Sequence, residues 1–258
     1  MPNTALITGA SSGIGREFAR YHAGKGGDVI LTARRESELN ELKSELEANH
    51  GITAHVFALD LGITGGAETL YKSVKDAGLR VDILINNAGF GGHGLHTERP
   101  LRSELAMIDL NVKSLVILTH EFGRDMAEQG SGKILNVGST AGFMPGPLQA
   151  VYYATKAFVQ SFSQAIDHEL RDRGVTCTVL APGYVRTEFA DVANLAGTDL
   201  IKQAGAGPES VAKHGYDAMM RGTLVTVNER GLGFLVNWVV PFLPRRLALK
   251  IVAKMQSK

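Results

Sequence analysis

The sequence predicts an α/β fold, a doubly wound parallel sheet with helices on both faces. Three observations carry that expectation. Short apolar runs alternate with helical stretches along the chain. The run Ala5-Leu6-Ile7-Thr8 passes straight into a glycine-rich turn that opens a helix at Arg16-Glu17-Phe18-Ala19. Hydrophobic residues make up 44% of the 258 positions, enough to fill a large core, and α/β units of this size form one domain.

Taken in order, strands are expected at 5–8, 28–32, 53–58, 83–86, 133–137 and 176–181, each a short apolar run. Helices are expected between them at 17–22, 36–49, 67–77, 103–128 and 153–173. Such alternation implies right-handed βαβ crossovers, so the sheet is parallel and a ligand sits at the carboxyl edge of its strands. A seventh strand near 224–227 completes a Rossmann-like sheet. No repeat, low-complexity segment or linker interrupts residues 1–258, which are therefore read as a single domain.

Composition narrows the function classes. A net charge of +1 carries no nucleic-acid signature, and a lone cysteine, Cys177, excludes an intrachain disulfide and suits a reducing compartment. The first apolar run is too short for a signal peptide, so the expected location is cytoplasmic. The eight histidines show no metal-ligand spacing, and no metal is expected. His93 and His96 fall in a glycine-rich loop and are read as facing solvent.

Two local patterns carry chemistry. In Gly9-Ala10-Ser11-Ser12-Gly13-Ile14-Gly15 the glycines permit a tight turn and close backbone approach, while the helix N-terminus that follows offers free N–H groups and partial positive charge. That is a dinucleotide pyrophosphate loop in a variant Gly-x-x-x-Gly-x-Gly spacing. Further on, Tyr152 and Lys156 lie one helical turn apart on one face, where an ammonium lowers the pKa of a phenol. Ser139 precedes that helix at a strand end, placed to hydrogen-bond a carbonyl oxygen becoming an alkoxide. A hydride carrier, a phenol acid and a hydroxyl donor together point to carbonyl/alcohol interconversion.

With these residues in place, the chain resembles the short-chain dehydrogenase/reductase family over nearly its whole length. The resemblance rests on an ordered set: the Thr8 to Gly15 loop, Asp60-Leu61, Asn86-Asn87-Ala88-Gly89, Asn111, Ser139, Tyr152 with Lys156, and Pro182-Gly183 followed by Thr187. It implies that Asp60 and Leu61 meet the adenine ring and that Asn87, Ala88 and Gly89 form a small turn beside the adenosine ribose. Pro182, Gly183, Val185 and Thr187 would meet the nicotinamide carboxamide. Lys156 would also bind the nicotinamide ribose beside Tyr152, and Asn111 would bend its helix and hold a proton relay. The end of the second strand carries Arg34 and Arg35 where NAD-using relatives carry an acid, so NADP is the expected cofactor. The rival readings are an NAD-dependent alcohol dehydrogenase, opposed by Arg34, and a non-catalytic cofactor sensor, opposed by the intact set of Asn111, Ser139, Tyr152 and Lys156 that the resemblance implies is catalytic.

Residues 188–207 read as a lid over a small-molecule carbonyl or alcohol, and the helices at 103–128 and 153–173 are expected, from the resemblance, to pair into a homodimer or homotetramer. Beyond Gly231 an apolar run, 232–243, is followed by Arg245, Arg246, Lys250 and Lys254. It is too short to span a bilayer and is interrupted by Pro241 and Pro244. The favoured expectation is a segment packed on the fold or in a subunit interface rather than on a membrane.

Overall fold

Adjacent side chains on a strand point to opposite faces, so a sheet covered on both sides needs apolar residues at every position. The central strands supply them: Leu6 and Ile7, Ile30 and Leu31, Leu84 and Ile85 are all fully buried. A computed structural model describing residues 3–202 and 205–258 places these strands in one parallel sheet of order β3-β2-β1-β4-β5-β6-β7. The strands are β1 Thr4–Thr8, β2 Asp28–Ala33, β3 Ala54–Ala58, β4 Ile83–Asn86, β5 Gly132–Val137, β6 Val175–Leu180 and a short β7 Val225–Thr226. Ile7, Leu31, Leu135 and Leu180 face one helical layer together with Phe18, Leu39 and Leu46. Leu6, Ile30, Leu84 and Ile134 face the other with Leu70, Val74, Phe122 and Met126.

Three crossover helices, α1 Gly13–Ala23, α2 Glu36–His50 and α3 Gly66–Asp76, lie close to their expected bounds. The expected helix at 103–128 differs. It is broken into α4 Leu101–Ile108, a π-helical turn Asp109–Ser114, and α5 Leu115–Gln129. α6, Ala150–Arg171, begins a turn earlier than predicted. Two short helices, α7 Phe189–Val192 and α8 Asp199–Lys202, occupy the expected lid, of which residues 203 and 204 lie outside the described residues. The sequence reading missed α9, Pro208–Met220, although Pro208 at its first turn is a helix-start signal. α9 packs on α1, with Tyr21 donating to Asp217 at 2.9 Å and Tyr216 Oη 2.8 Å from His22 Nδ1.

The C-terminal segment comprises α10 Arg230–Phe234, a π turn Leu235–Val239, a 3₁₀ turn Val240–Phe242 and α11 Arg245–Gln256. Within 232–243 the expected packing on the fold is seen for Val236, which is buried, and beyond that run Ala248, Val252 and Gln256 of α11 are buried too. Phe234, Trp238 and Phe242 do not pack on the fold: they are 64%, 67% and 79% exposed. No helix among the described residues is long and apolar enough to cross a membrane.

Asparagine is a poor strand former, yet Asn86 and Asn136 sit side by side at the ends of β4 and β5. Asn86 Nδ2 donates to Asn136 Oδ1 at 2.9 Å and to Thr119 Oγ1 at 3.1 Å, and Asn136 Nδ2 donates to Ser163 Oγ at 2.8 Å. This buried polar network ties two strands to α5 and α6 directly below the loops that carry Asn87 and Ser139. Asn136→Ala should therefore lower the unfolding free energy by about 1–3 kcal/mol, the cost of leaving buried polar groups unpaired. Urea denaturation checks this; an unchanged midpoint would show that the network is not holding the strand ends.

Candidate active site

The strand order reverses at β1, whose neighbours are β2 and β4. The loops leaving β1 and β4 therefore diverge and open a crevice at the carboxyl edge. Thr8 Oγ1 accepts the backbone N–H groups of Asn87 and Ala88 at 3.0 and 2.9 Å, and Asn87 Nδ2 donates back to Thr8 O at 2.9 Å. The glycine turn fits against this seam. Gly9 and Gly13 hold positive φ angles of 67° and 54°, and a Cβ on Gly15 would collide with Gly9 O and with Asn87 Nδ2. Gly15 is thus a packing glycine, while Gly9, Ser11, Ser12, Gly13 and Ile14 line the crevice itself.

The crevice is one cleft of about 450 Å³. It brings together Arg34, Arg35, Asp60, Leu61, Asn87, Ala88, Gly89, Ser139, Tyr152, Lys156, Pro182, Gly183, Val185 and Thr187. Arg34 is exposed and has no ion pair among the described residues. Arg35 differs from expectation: its guanidinium is held by Glu188 Oε2 at 3.0 Å, by Ser11 Oγ at 3.2 Å and more loosely by Glu38 at 3.7 Å. Asp60 Oδ1 is engaged by the N–H of Gly62 at 2.9 Å.

Asn111 stands in the π turn and does not line the cleft. Its Oδ1 accepts the N–H of Phe90 at 3.1 Å, and its Nδ2 donates to Phe90 O at 2.9 Å and to Thr155 Oγ1 at 3.2 Å. The extra residue of a π turn is a common feature of functional helices; here it aims Asn111 at the backbone of the loop after β4. Gly89 is required at that spot, because a Cβ would come 2.9 Å from Asn111 Oδ1.

Tyr152 and Lys156 share a face of α6 and are both buried. Lys156 Nζ donates to Val137 O at 2.8 Å and lies 5.8 Å from the centre of the Tyr152 ring. The expected depression of the phenol is absent from this arrangement. Burial pushes Tyr152 well above the usual tyrosine range, with Ser139 acting in the opposite sense. Burial also lowers Lys156, to about 8. Ser139 ends the loop after β5 with its Oγ accepting the N–H of Ala141 at 3.1 Å.

Phe90, Ala141 and Gln149 escaped the sequence reading because their signals are long-range. They line the cleft with Thr140, Tyr153 and Tyr184 and with Glu188, Phe189, Val192, Leu195 and Leu200 of the expected lid. The Tyr153 hydroxyl is bound by Gln256 Nε2 of α11 at 2.8 Å, and Gln149 Nε2 donates to Gln256 Oε1 at 2.7 Å. His93 does not face solvent as expected; its Nε2 meets Gln256 O at 2.6 Å.

A sequence profile described as short chain dehydrogenase matches residues 3–196. Among curated proteins, sulfoacetaldehyde reductase 2 of Chromohalobacter salexigens is 40% identical over 194 residues, covering 73% of this chain and 75% of that protein. The very-long-chain 3-oxoacyl-CoA reductase of Homo sapiens is 30% identical over 259 residues, covering 98% and 79%. Among solved structures, a short-chain dehydrogenase from Sphingobium yanoikuyae in complex with NADPH superposes with a TM-score of 0.84 at 30% identity, covering 91% and 90% of the two chains.

The Lys156 environment makes a direct forecast. Its ammonium should be charged below a pH of about 8 and neutral above it, well under the usual lysine range because burial disfavours the charged form. Lysine side-chain NMR should show one resonance titrating near that pH and lacking in Lys156→Arg. A set of lysines all titrating in the ordinary range would contradict the buried placement.

Proposed function

The chain belongs to the short-chain dehydrogenase family, and from that premise we propose that it interconverts an apolar ketone and its secondary alcohol, with NADP as the hydride carrier. The observation that carries this reading is the single cleft in which a glycine-rich helix N-terminus and an unpaired arginine at one end meet Ser139, Tyr152 and Lys156 at the other. The donor set fits a dinucleotide: backbone N–H groups at the start of α1 suit a pyrophosphate, and the exposed Arg34 suits a 2′-phosphate. When bound there, the nicotinamide supplies or accepts the hydride.

The protein's own groups manage the oxygen and its proton. In reduction, the Tyr152 hydroxyl gives its proton to the carbonyl oxygen as charge develops on it, and the buried phenol is fully protonated for that task at neutral pH. Ser139 Oγ donates to the same oxygen and orients it. Lys156 has one donor committed to Val137 O, leaving two for cofactor ribose hydroxyls. Asn111 fixes the loop beside Lys156 and stands where a proton relay to solvent would pass.

The substrate class follows from the wall. The cations lining the cleft are Arg34, Arg35 and Lys156, and none lies among Phe90, Ala141, Tyr153, Phe189, Val192, Leu195 and Leu200. A sulfonated substrate such as the Chromohalobacter relative's name denotes would find no counter-charge there, whereas an apolar ketone would be desolvated by contact. Assembly is supported by Leu101, Leu105 and Ile108 on α4 and Phe158 on α6, all exposed on helices expected to pair between copies.

Tyr152→Phe should lower turnover by about 10²- to 10⁴-fold, the usual contribution of a general acid, while leaving NADPH binding intact; near-normal turnover with Tyr153 still present would sink the assignment. Arg34→Ala should weaken NADPH binding by about tenfold or more and leave NADH nearly unchanged, since a charge-assisted bond to phosphate contributes about 1.5–3 kcal/mol. Parallel titration of both cofactors reads this out. Equal losses for the two would show that Arg34 does not read the phosphate.

A further inference from the structure

The segment from Arg230 to Lys258 carries two properties at once. It exposes large apolar side chains at four-residue spacing, Phe234, Trp238 and Phe242, with Leu235 beside them. It also carries Arg230, Arg245, Arg246, Lys250, Lys254 and Lys258, and no carboxylate side chain. In α11 the two properties meet on one surface. Ala248, Val252 and Gln256 repeat every four residues and are buried, so the helix is docked by that stripe. The exposed side carries Leu247 and Ile251 alongside Lys250 and Lys254.

An apolar patch of aromatic and branched side chains that stays in water needs an occupant. Two are weighed by charge. A second copy paired through this face would be related by a two-fold axis, which sets the patch against itself; six cations would then meet six with no carboxylate from the segment between them. An anionic lipid surface reverses that sign, accepting the aromatic rings at the headgroup level and the basic residues at the phosphates. We propose that residues 230–258 form a docking face for an anionic lipid bilayer, entered by Phe234, Trp238 and Phe242 and held by Lys250, Lys254 and their basic neighbours. The face adjoins the catalytic cleft. Leu232 packs so closely on the Pro182–Gly183 loop that a Cβ on Gly183 would lie 2.6 Å from it, and Gln256 of α11 is bonded to Tyr153 in the cleft wall. Docking would bring the cleft to the membrane surface, independently of which ketone it takes.

The chain has one tryptophan, Trp238, and it is 67% exposed midway in sequence between Phe234 and Phe242, so its fluorescence reports the event directly. The full-length protein would be mixed with phosphatidylcholine vesicles with and without phosphatidylserine. The expected result is a shift of Trp238 emission to shorter wavelength with the anionic vesicles alone, reversed by high salt. Lys250→Gln and Lys254→Gln should each weaken binding about fivefold, the usual effect of one basic residue at an anionic surface. Phe234→Ser with Phe242→Ser should abolish the shift while keeping the wild-type melting temperature and NADPH binding, because both rings are exposed. Unchanged emission with anionic vesicles, or binding by the serine variant equal to wild type, would overturn the proposal. So would emission already shifted without vesicles at concentrations where the protein self-associates, since that would place a second copy on the face.

Discussion

The hydrogen bonds exchanged between Thr8 and Asn87 hold together the seam on which the cleft is built. The loops after β1 and β4 must part to leave room for a ligand, and their backbone N–H groups would then lose the partners that strand pairing provides. Thr8 Oγ1 replaces those partners for Asn87 and Ala88. The return bond from Asn87 Nδ2 puts that amide where a Cβ on Gly9 would come within 2.9 Å of it. The glycine turn is therefore sized by Asn87, and the start of α1 is delivered to the cleft floor by the same contact. A larger residue at Gly9 or Gly15 would push the turn away from the seam and narrow this end of the cleft.

Burial governs the electrostatics at the other end of the cleft. Taking a phenol and an ammonium out of water disfavours the charged form of each, so Tyr152 moves up and Lys156 moves down, to about 8. The two shifts have opposite consequences. The first makes Tyr152 a reservoir of one proton across the whole physiological range. The second means that keeping Lys156 charged at neutral pH works against the folded state, since its folded pKa lies below its unfolded one. That penalty is largest below about 8 and is relieved as pH rises from there toward the ordinary lysine range. The carbonyl of Val137, accepting from Nζ at 2.8 Å, offsets part of it, which explains why the end of β5 and the Lys156 turn of α6 must be held in register by the Asn136 to Ser163 bond beneath them.

What could be read in the sequence was what chain neighbours determine. Strand positions followed from local apolar runs, the glycine turn from its own spacing, and the shared face of Tyr152 and Lys156 from helical periodicity. The features that escaped are bonds between distant segments. Arg35 looks like a free cation beside Arg34 until Glu188, far along the chain, is placed against it. Asn111 was picked out through the family resemblance, but the π turn that aims it at Phe90 depends on a loop from another strand. Asn136 was passed over as a strand residue, although an amide in a buried strand needs a partner, and Asn86 beside it was the available clue. Hydropathy likewise located the apolar C-terminal run without saying where its side chains face.

The outward orientation of Phe234, Trp238 and Phe242 has a structural reason. The tail is not glued to the protein by its largest apolar groups, as a packed helix would be, but by a narrow stripe of small ones and by a polar clasp at its end. Val236, Ala248 and Val252 are the buried apolar contacts, and Gln256 makes three bonds, to Gln149, Tyr153 and His93. An amide that satisfies its side chain and its backbone carbonyl against three different segments fixes the position of α11 with little apolar area. Phe234, Trp238 and Phe242 are thereby left outside the docking stripe. Because Gln256 reaches Tyr153, next in sequence to Tyr152, the same clasp makes the outer segment part of the cleft wall rather than an appendage to it.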